Sequence, residues 1–344
     1  MKGTLNWALV GTGGISNRFL AGLRCAEGAR PYAAVSRSQE KAEAFAARHG
    51  LEKAYGDYGA MLEDPAVDVV YIGTPHVTHR DLAVRAFRAK KAVLCEKPVS
   101  INGAELSEMI AEARANGVFF MEAMWTRFVP PLRKVQEWLA SGIIGEVKMM
   151  QANFCFASAF NPAGRLYNIE LGGGALLDAG VYPLSLASLA FGGKRPETLS
   201  SVMYRGETGA DEAVSVLLSY GGPRIASVSA AISTSAVNDG WIYGTQGRIH
   251  LPDFVFSHSA SLILPGKYSY RYEGDFVSNG YNYEVEEVTR CIREGKPESE
   301  IMSLSESLVI MQTMDRVRAQ NGFVYPGEAG SGNSLAGASG GIRV

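Results

Sequence analysis

The chain has 344 residues, 47% hydrophobic and 20% charged, with 33 Lys and Arg against 35 Asp and Glu for a formal net charge of −2. That length points to two domains, since single cores stop growing at roughly 250–300 residues. The apolar content excludes disorder of the bulk, and the balanced charge excludes a protein that works by neutralising nucleic-acid phosphates.

Glycine is the outlier, at 39 residues. Met1–Trp7 runs straight into Ala8-Leu9-Val10 without the apolar core and small-residue site of a secretory leader. No run approaches the ~18 apolar residues of a membrane span, so a cytoplasmic protein with no membrane partner is expected. Cys25, Cys95, Cys155 and Cys291 are far apart and form no CxxC. Reduced thiols and no metal are expected.

In chain order, Leu5–Val10 predicts a strand, Ile15–Arg24 a helix and Pro31–Ser36 a second strand. Ser38 can cap a helix that runs through Arg48 to a stop at Gly50. Val67–Ile72 is a continuous apolar run, the signature of a strand buried on both faces of a parallel sheet. A helix over Thr78–Lys90, a strand over Ala92–Cys95, a helix over Asn102–Asn116 and a strand over Val118–Met121 follow. This alternation predicts a doubly wound α/β sheet over residues 1–125.

Beyond it the pattern changes. A helix at Pro130–Ala140 leads into strands at Val147–Phe156, Thr198–Tyr204, Ala213–Tyr220, Arg224–Ile232, Trp241–Tyr243 and Arg248–Leu251. Close spacing and Gly/Pro turns predict a large, mostly antiparallel open sheet in an α+β domain over 126–326, closed by helices at Glu284–Arg293 and Ser303–Ala319. Residues 327–344, with six glycines in 18 positions, are expected to form a flexible tail.

Gly11-Thr12-Gly13-Gly14-Ile15-Ser16 opens the first βαβ unit. Gly11 permits the tight turn, Gly13 lets a pyrophosphate approach the backbone, and the helix N-terminus offers N–H groups to it. Ser16 stands where the third glycine of a dinucleotide fingerprint is usual. At the end of the second strand, Ser36-Arg37-Ser38 supplies two hydroxyls and a guanidinium, and no carboxylate comes before Glu40. That favours a 2′-phosphate, hence NADP over NAD, unless Arg37 is simply a solvated charge.

Thr74-Pro75-His76-Val77-Thr78-His79 and Cys95-Glu96-Lys97-Pro98 complete the pattern. With the glycine loop, they resemble the glucose–fructose oxidoreductase / inositol dehydrogenase (Gfo/Idh/MocA) family over roughly residues 5–325. Met121–Phe128, Leu171–Leu184 (LGGGALLDAGVYPL) and Asn279–Glu284 (NGYNYE) look like its dimeric dihydrodiol dehydrogenase and NADP-dependent D-xylose dehydrogenase branch. The resemblance implies a Rossmann domain with a mixed α/β partner. It further implies a pyridine nucleotide held by Gly11, Gly13, Gly14, Ile15, Ser36, Arg37, Ser38, Thr74, Pro75, His76, His79 and Glu96, and a homodimer or higher homo-oligomer through the second sheet. Lys97, by the same implication, touches both the nicotinamide ribose and the substrate oxygen.

A dehydrogenase needs a group that moves the alcohol proton. Asp178 and Tyr182 are four apart and share a face if that segment is helical, although Pro183 can kink it. Tyr182 is the candidate acid/base, with Lys97 lowering its pKa and Asp178 orienting substrate or side chain; Lys97 remains the other candidate for immediate proton acceptor. Trp125, Phe154 and Phe156 either wall an apolar substrate pocket or belong to the core. Arg127 is expected to contact the cofactor or acidic neighbours. Gly172–Gly174 either bring backbone close to the nicotinamide or form a loop before a helix.

His76 and His79 have no third ligand at a suggestive spacing, so metal binding is not expected. The leading reading is therefore an NADP-dependent oxidoreductase acting on a hydroxyl or carbonyl carbon of a small polar substrate, a sugar such as D-xylose or a cyclic trans-diol. The alternatives are a redox enzyme that keeps its nucleotide bound, in glycoside cleavage or coupled oxidoreduction, and a non-catalytic nucleotide-binding sensor.

Overall fold

The computed structural model describes residues 3–328; most of the segment expected to be a flexible tail lies outside the described residues. The first domain runs β1 (Leu5–Val10), α1 (Gly14–Leu23), β2 (Ala29–Val35), α2 (Gln39–His49), β3 (Lys53–Tyr55), α3 (Tyr58–Glu63), β4 (Val69–Ile72), α4 (His79–Arg88), β5 (Ala92–Glu96), α5 (Gly103–Asn116) and β6 (Phe120–Ala123). Its six strands are parallel in the order β3-β2-β1-β4-β5-β6, the doubly wound arrangement whose strand order reverses beside β1. Every residue of β4 is buried, as its unbroken apolar run required.

Local chemistry sets the helix ends. Ser38 Oγ accepts from Lys41 N at 3.3 Å and caps α2, which stops at a left-handed Gly50. Asn102 caps α5 in the same way.

The second domain begins with α6 (Pro130–Ala140) and β7 (Val147–Cys155), then passes through a wide π-turn at Leu176–Gly180 into α7 (Val181–Ala190). It continues with β8 (Thr198–Arg205), β9 (Asp211–Ser219), β10 (Ile225–Ala231), β11 (Gly240–Gly244), β12 (Arg248–Leu251), β13 (Ser259–Leu264), β14 (Tyr268–Glu273), α8 (Asn282–Arg293) and α9 (Leu304–Gln320). The eight strands lie in the order β14-β13-β12-β11-β7-β10-β9-β8. All neighbours are antiparallel except β7 and β10, which pair in parallel from Met149–Ile225 to Cys155–Ala231. The fold class expected from sequence is the one observed.

The apolar side of β9 (Val214, Val216, Leu218) is buried within the chain, where Val214 and Val216 meet Leu176 and Leu184. The helices α8 and α9 return to the first domain: α8 packs on α1, while α9 touches both α5 and α7. One continuous core therefore runs through both domains and fixes the cleft between them.

Candidate active site

Gly11 sits at φ +98, and a Cβ there would come within 2.8 Å of Gly73 O; only glycine lets β1 turn this tightly beside β4. Gly13 precedes α1 without any side-chain cap, so the first-turn N–H groups keep no internal partner. A Cβ at Gly13 or Gly14 would meet nothing within 4 Å. The space they face is a cavity of about 510 Å³ that extends past Ile15, Thr74, Pro75 and His76 to Lys97, Asp178 and Tyr182. Open backbone donors at one end and a charged cluster at the other fit a dinucleotide laid across the strand-order reversal. Ser16, in place of the third glycine, is accommodated because Gly73 faces its hydroxyl across the helix–strand contact.

At the β2–α2 junction, Ser36, Arg37 and Ser38 lie outside the residues that line this cavity. Ser36 Oγ accepts from Ser38 N at 3.5 Å, and Arg37 is exposed. Glu40 projects from the first turn of α2, also exposed.

Two buried histidines tie the framing loops. His79 lies between Thr74 O (2.9 Å) and Pro98 O (3.0 Å), and His76 Nδ1 meets Gly172 O at 3.1 Å. Burial, with His79 beside it, depresses the His76 imidazole to about 3; burial also lowers that of His79. Both rings are neutral supports.

The charged cluster is compact. Lys97 Nζ donates to Asp178 O at 2.8 Å and Oδ1 at 3.2 Å, and lies 4.8 Å from the centre of the Tyr182 ring. Arg165 Nη1 donates to the same Oδ1 at 2.6 Å. Burial alone would raise the Asp178 carboxyl, but Lys97 and then Arg165 outweigh it and hold it well below the usual carboxylate range. Beneath Lys97, Glu96 is buried and accepts from Tyr71 Oη at 2.7 Å.

The expected tuning of Tyr182 runs the other way. Its hydroxyl is pushed well above the ordinary phenol value, first by burial and then by Glu96 and Asp178, with a hydrogen bond from Trp125 Nε1 (3.2 Å) opposing. The Lys97 ammonium sits over the ring face and spends its hydrogen bonds on Asp178 rather than on the phenol oxygen. Asp178 and Tyr182 do come together, but Asp178 lies in the π-turn that ends at Gly180 and Tyr182 in the first turn of α7, so regular α-helical spacing does not join them.

Trp125 lines the cavity, stacked on Tyr281 at 5.2 Å and tilted against Phe256 at 5.8 Å. Phe154 stands behind, edge-on to Tyr182 at 5.3 Å, and Phe156 packs on Phe154; neither lines the cavity. Arg127 points away from it. Its guanidinium, 1% exposed, donates to Ser185 Oγ and O at 2.8 Å each and pairs with Glu306 of α9 at 2.5 Å. Of its two expected neighbours it has the acidic one, because an almost fully buried guanidinium requires a carboxylate and carbonyls around it.

Arg18, Gly73, Arg165, Leu171, Phe256 and Tyr281 complete the lining and were not named as candidate site residues from the sequence. Two of them had a signal: Leu171 opens the LGGGALLDAGVYPL segment and Tyr281 lies in the NGYNYE segment. Arg165 and Phe256 come from irregular loops whose composition says nothing about where they fold back.

Two family models match the chain: residues 5–124 an oxidoreductase family with an NAD-binding Rossmann fold, and residues 132–250 a GFO/IDH/MocA C-terminal domain. Among known proteins, the trans-1,2-dihydrobenzene-1,2-diol dehydrogenase of Xenopus laevis is 39% identical over 329 residues, covering 93% of this chain and 99% of that one. The human protein of the same name is 36% identical over 331 residues, covering 94% and 98%. The fold is also that of an aldose–aldose oxidoreductase from Caulobacter crescentus (TM-score 0.84, 23% identity, 92% of this chain and 97% of that one). A 3-ketoreductase from Actinomadura kijaniata, solved with NADP and TDP-benzene, is similar as well (TM-score 0.80, 26% identity, 92% and 98%). With family models over residues 5–124 and 132–250 and a relative 39% identical across 93% of the chain, the chain belongs to the Gfo/Idh/MocA family of oxidoreductases.

Proposed function

We propose that the protein is an NADP-dependent dehydrogenase acting on a CH–OH carbon of a cyclic trans-diol or of a sugar such as D-xylose. One observation carries this reading: a single cavity joins the uncapped start of α1 to the Lys97–Asp178–Tyr182 cluster beneath the Trp125, Phe256 and Tyr281 rings. The dihydrodiol dehydrogenase relatives support the diol, and the ketoreductase solved with NADP supports the cofactor. The phosphated nucleotide is favoured by Arg37 with the Ser36 and Ser38 hydroxyls, where a ribose-binding carboxylate is missing.

A bound nicotinamide supplies the hydride acceptor or donor. Within the chain, the Lys97 ammonium orients the substrate oxygen, and Asp178 holds that ammonium in place. Tyr182 Oη, neutral at rest, gives its proton to a carbonyl oxygen in reduction; in oxidation it first loses that proton to solvent and then, as the phenolate, receives the alcohol proton. The aromatic wall excludes water and stacks on a ring face. Arg165, more than half exposed, closes over the polar end.

Val202, Tyr204, Leu217 and Ile225 lie on the exposed face of β8–β10, opposite the buried Val214–Val216 side, and that face fits a homodimer contact. Sedimentation as a monomer at micromolar concentration would count against it. Four free cysteines suit a reducing, cytoplasmic setting.

The deciding experiment is a 340 nm screen of trans-dihydrodiols, aldoses and inositols with NADP and NAD side by side. Stoichiometric NADPH formation on a diol or sugar is expected. Nucleotide retained by the purified protein with no net absorbance change would move the assignment to a bound-cofactor enzyme; nucleotide binding without turnover would move it to a sensor.

A further inference from the structure

Downstream of α9 the chain makes contacts that the proton and hydride transfers do not use. Glu328 accepts from Arg318 Nη1 at 2.7 Å, from Asn102 Nδ2 at 2.7 Å and from the N–H of Tyr325 at 2.8 Å. Arg318 also donates to Asp315 Oδ1 at 2.8 Å and to Ile101 O at 3.1 Å. Asp315 in turn accepts from Gly103 N at the start of α5, at 2.8 Å. Residues 323–328 are thereby pinned to the loop that leads from Lys97-Pro98 into the first domain's α5.

The other hold is Tyr325. It is buried, its ring lies 5.1 Å from the Arg318 guanidinium carbon, and its hydroxyl donates to Gly173 O at 3.0 Å. Gly173 is where the substrate end of the cavity is folded together. Its N–H donates to Asn168 O at 3.0 Å, and a Cβ there would lie within 2.8 Å of the carbonyl oxygens of Arg165, Leu166 and Asn168. On one side stands Gly172, whose carbonyl meets His76; on the other, Leu176 N donates to Asp211 Oδ2 at 2.6 Å, two residues before Asp178. The chain thus diverges from Gly173 towards both members of the Arg165–Asp178 pair.

We propose that Tyr325, held by Arg318 and Glu328, is a positioning residue for the substrate end of the cavity. It fixes the Arg165–Gly173 loop and so sets where the Arg165 guanidinium and Leu171 stand against Asp178. The loop-fixing half stands on geometry alone; the effect on substrate rests on reading that end as the substrate site. Tyr325 touches neither reacting group, so its loss loosens binding more than chemistry.

The test uses the full chain with NADP, as Tyr325→Phe, which deletes one hydroxyl and keeps the ring, and as Glu328→Gln, which weakens the hold on Arg318. Hydrogen–deuterium exchange followed by mass spectrometry reads the loop, and steady-state kinetics on a substrate from the screen reads the site. Exchange at least fivefold faster over residues 168–173, a KM raised three- to tenfold and a kcat within twofold of the parent are expected from both variants. Unchanged exchange over that loop overturns the proposal. So does faster exchange with an unchanged KM, or a joint loss of kcat and thermal stability without a KM change, which is the mark of a merely structural residue. If no alcohol in the screen is turned over, the functional reading has failed, and the exchange result still decides whether Tyr325 fixes the loop.

Discussion

Tyr182 is a neutral phenol because burial and the Glu96 and Asp178 carboxylates all disfavour its ionised form. In that state it is ready to donate a proton and must lose one before it can accept. The oxidation rate is therefore expected to climb with pH through the alkaline range, while carbonyl reduction holds level from neutral pH downward. Tyr182→Phe should remove that alkaline rise and lower kcat by roughly 10²–10⁴-fold, the usual worth of a positioned acid/base. Nucleotide affinity, followed by quenching of Trp fluorescence, should stay within about twofold. A phenylalanine variant with an unchanged pH–rate profile would transfer the role to Lys97. At this scale the sequence was informative where a residue sits in a motif that fixes its backbone: Lys97 at a strand end and Asp178 near Tyr182 both meet in the cavity. It was uninformative where only packing decides. Nothing in the run Trp125-Thr126-Arg127 says that the indole faces the cavity while the guanidinium turns to Glu306.

The start of α2 is the element on which nucleotide choice rests. Ser38 spends its hydroxyl oxygen on capping Lys41 N, which leaves Arg37 as the charged side chain in the Ser36–Ser38 segment. Arg37→Ser should raise the KM for NADP about 10- to 100-fold, the loss of one charge-assisted phosphate contact, and leave that for NAD within twofold. Equal losses for both nucleotides would mean that Arg37 supports the fold rather than the 2′-phosphate. Elements with a strong period or a cap were readable from the sequence, and α2, α6 and β12 stand where the pattern put them. The short β3, the helix α3 and the edge strand β14 were not. β14 reads Tyr-Ser-Tyr-Arg-Tyr-Glu, an aromatic–polar alternation that fits a strand, but it is exposed along most of its length and has no buried face to anchor the pattern to a core. The helix α7 was legible only as a condition on Asp178 and Tyr182, since nine of its ten residues are buried and a helix buried on every side shows no polar face.

Across the whole molecule, buried ionisable groups of opposite kind pull the stability profile in opposite directions. Glu122 and Asp211 are both pushed up to about 7 by burial. In the unfolded chain such carboxyls release their protons near pH 4. Between about pH 4 and 7 the folded protein therefore holds more protons at these two sites, and their contribution falls as pH rises. His76 and His79, depressed by burial, act inversely: the unfolded chain takes up protons below about pH 6.5 that the folded chain refuses, so their contribution falls as pH drops. The parent protein's own profile mixes these slopes, and a difference between variant and parent separates them. Glu122→Gln preserves the acceptor for Val99 N, which Glu122 Oε1 meets at 3.2 Å, and removes the titration. Relative to the parent, it should gain stability steadily from pH 4.5 to 7, at no more than roughly 1.4 kcal/mol per pH unit, and keep a constant difference above that. Asp211→Asn should gain in the same direction over the same window. Denaturant melts at half-unit pH intervals would read the difference directly, and a variant-minus-parent stability flat from pH 4.5 to 7 would mean that Glu122 is ionised in the folded protein, with Lys97 and Arg127 holding its charge.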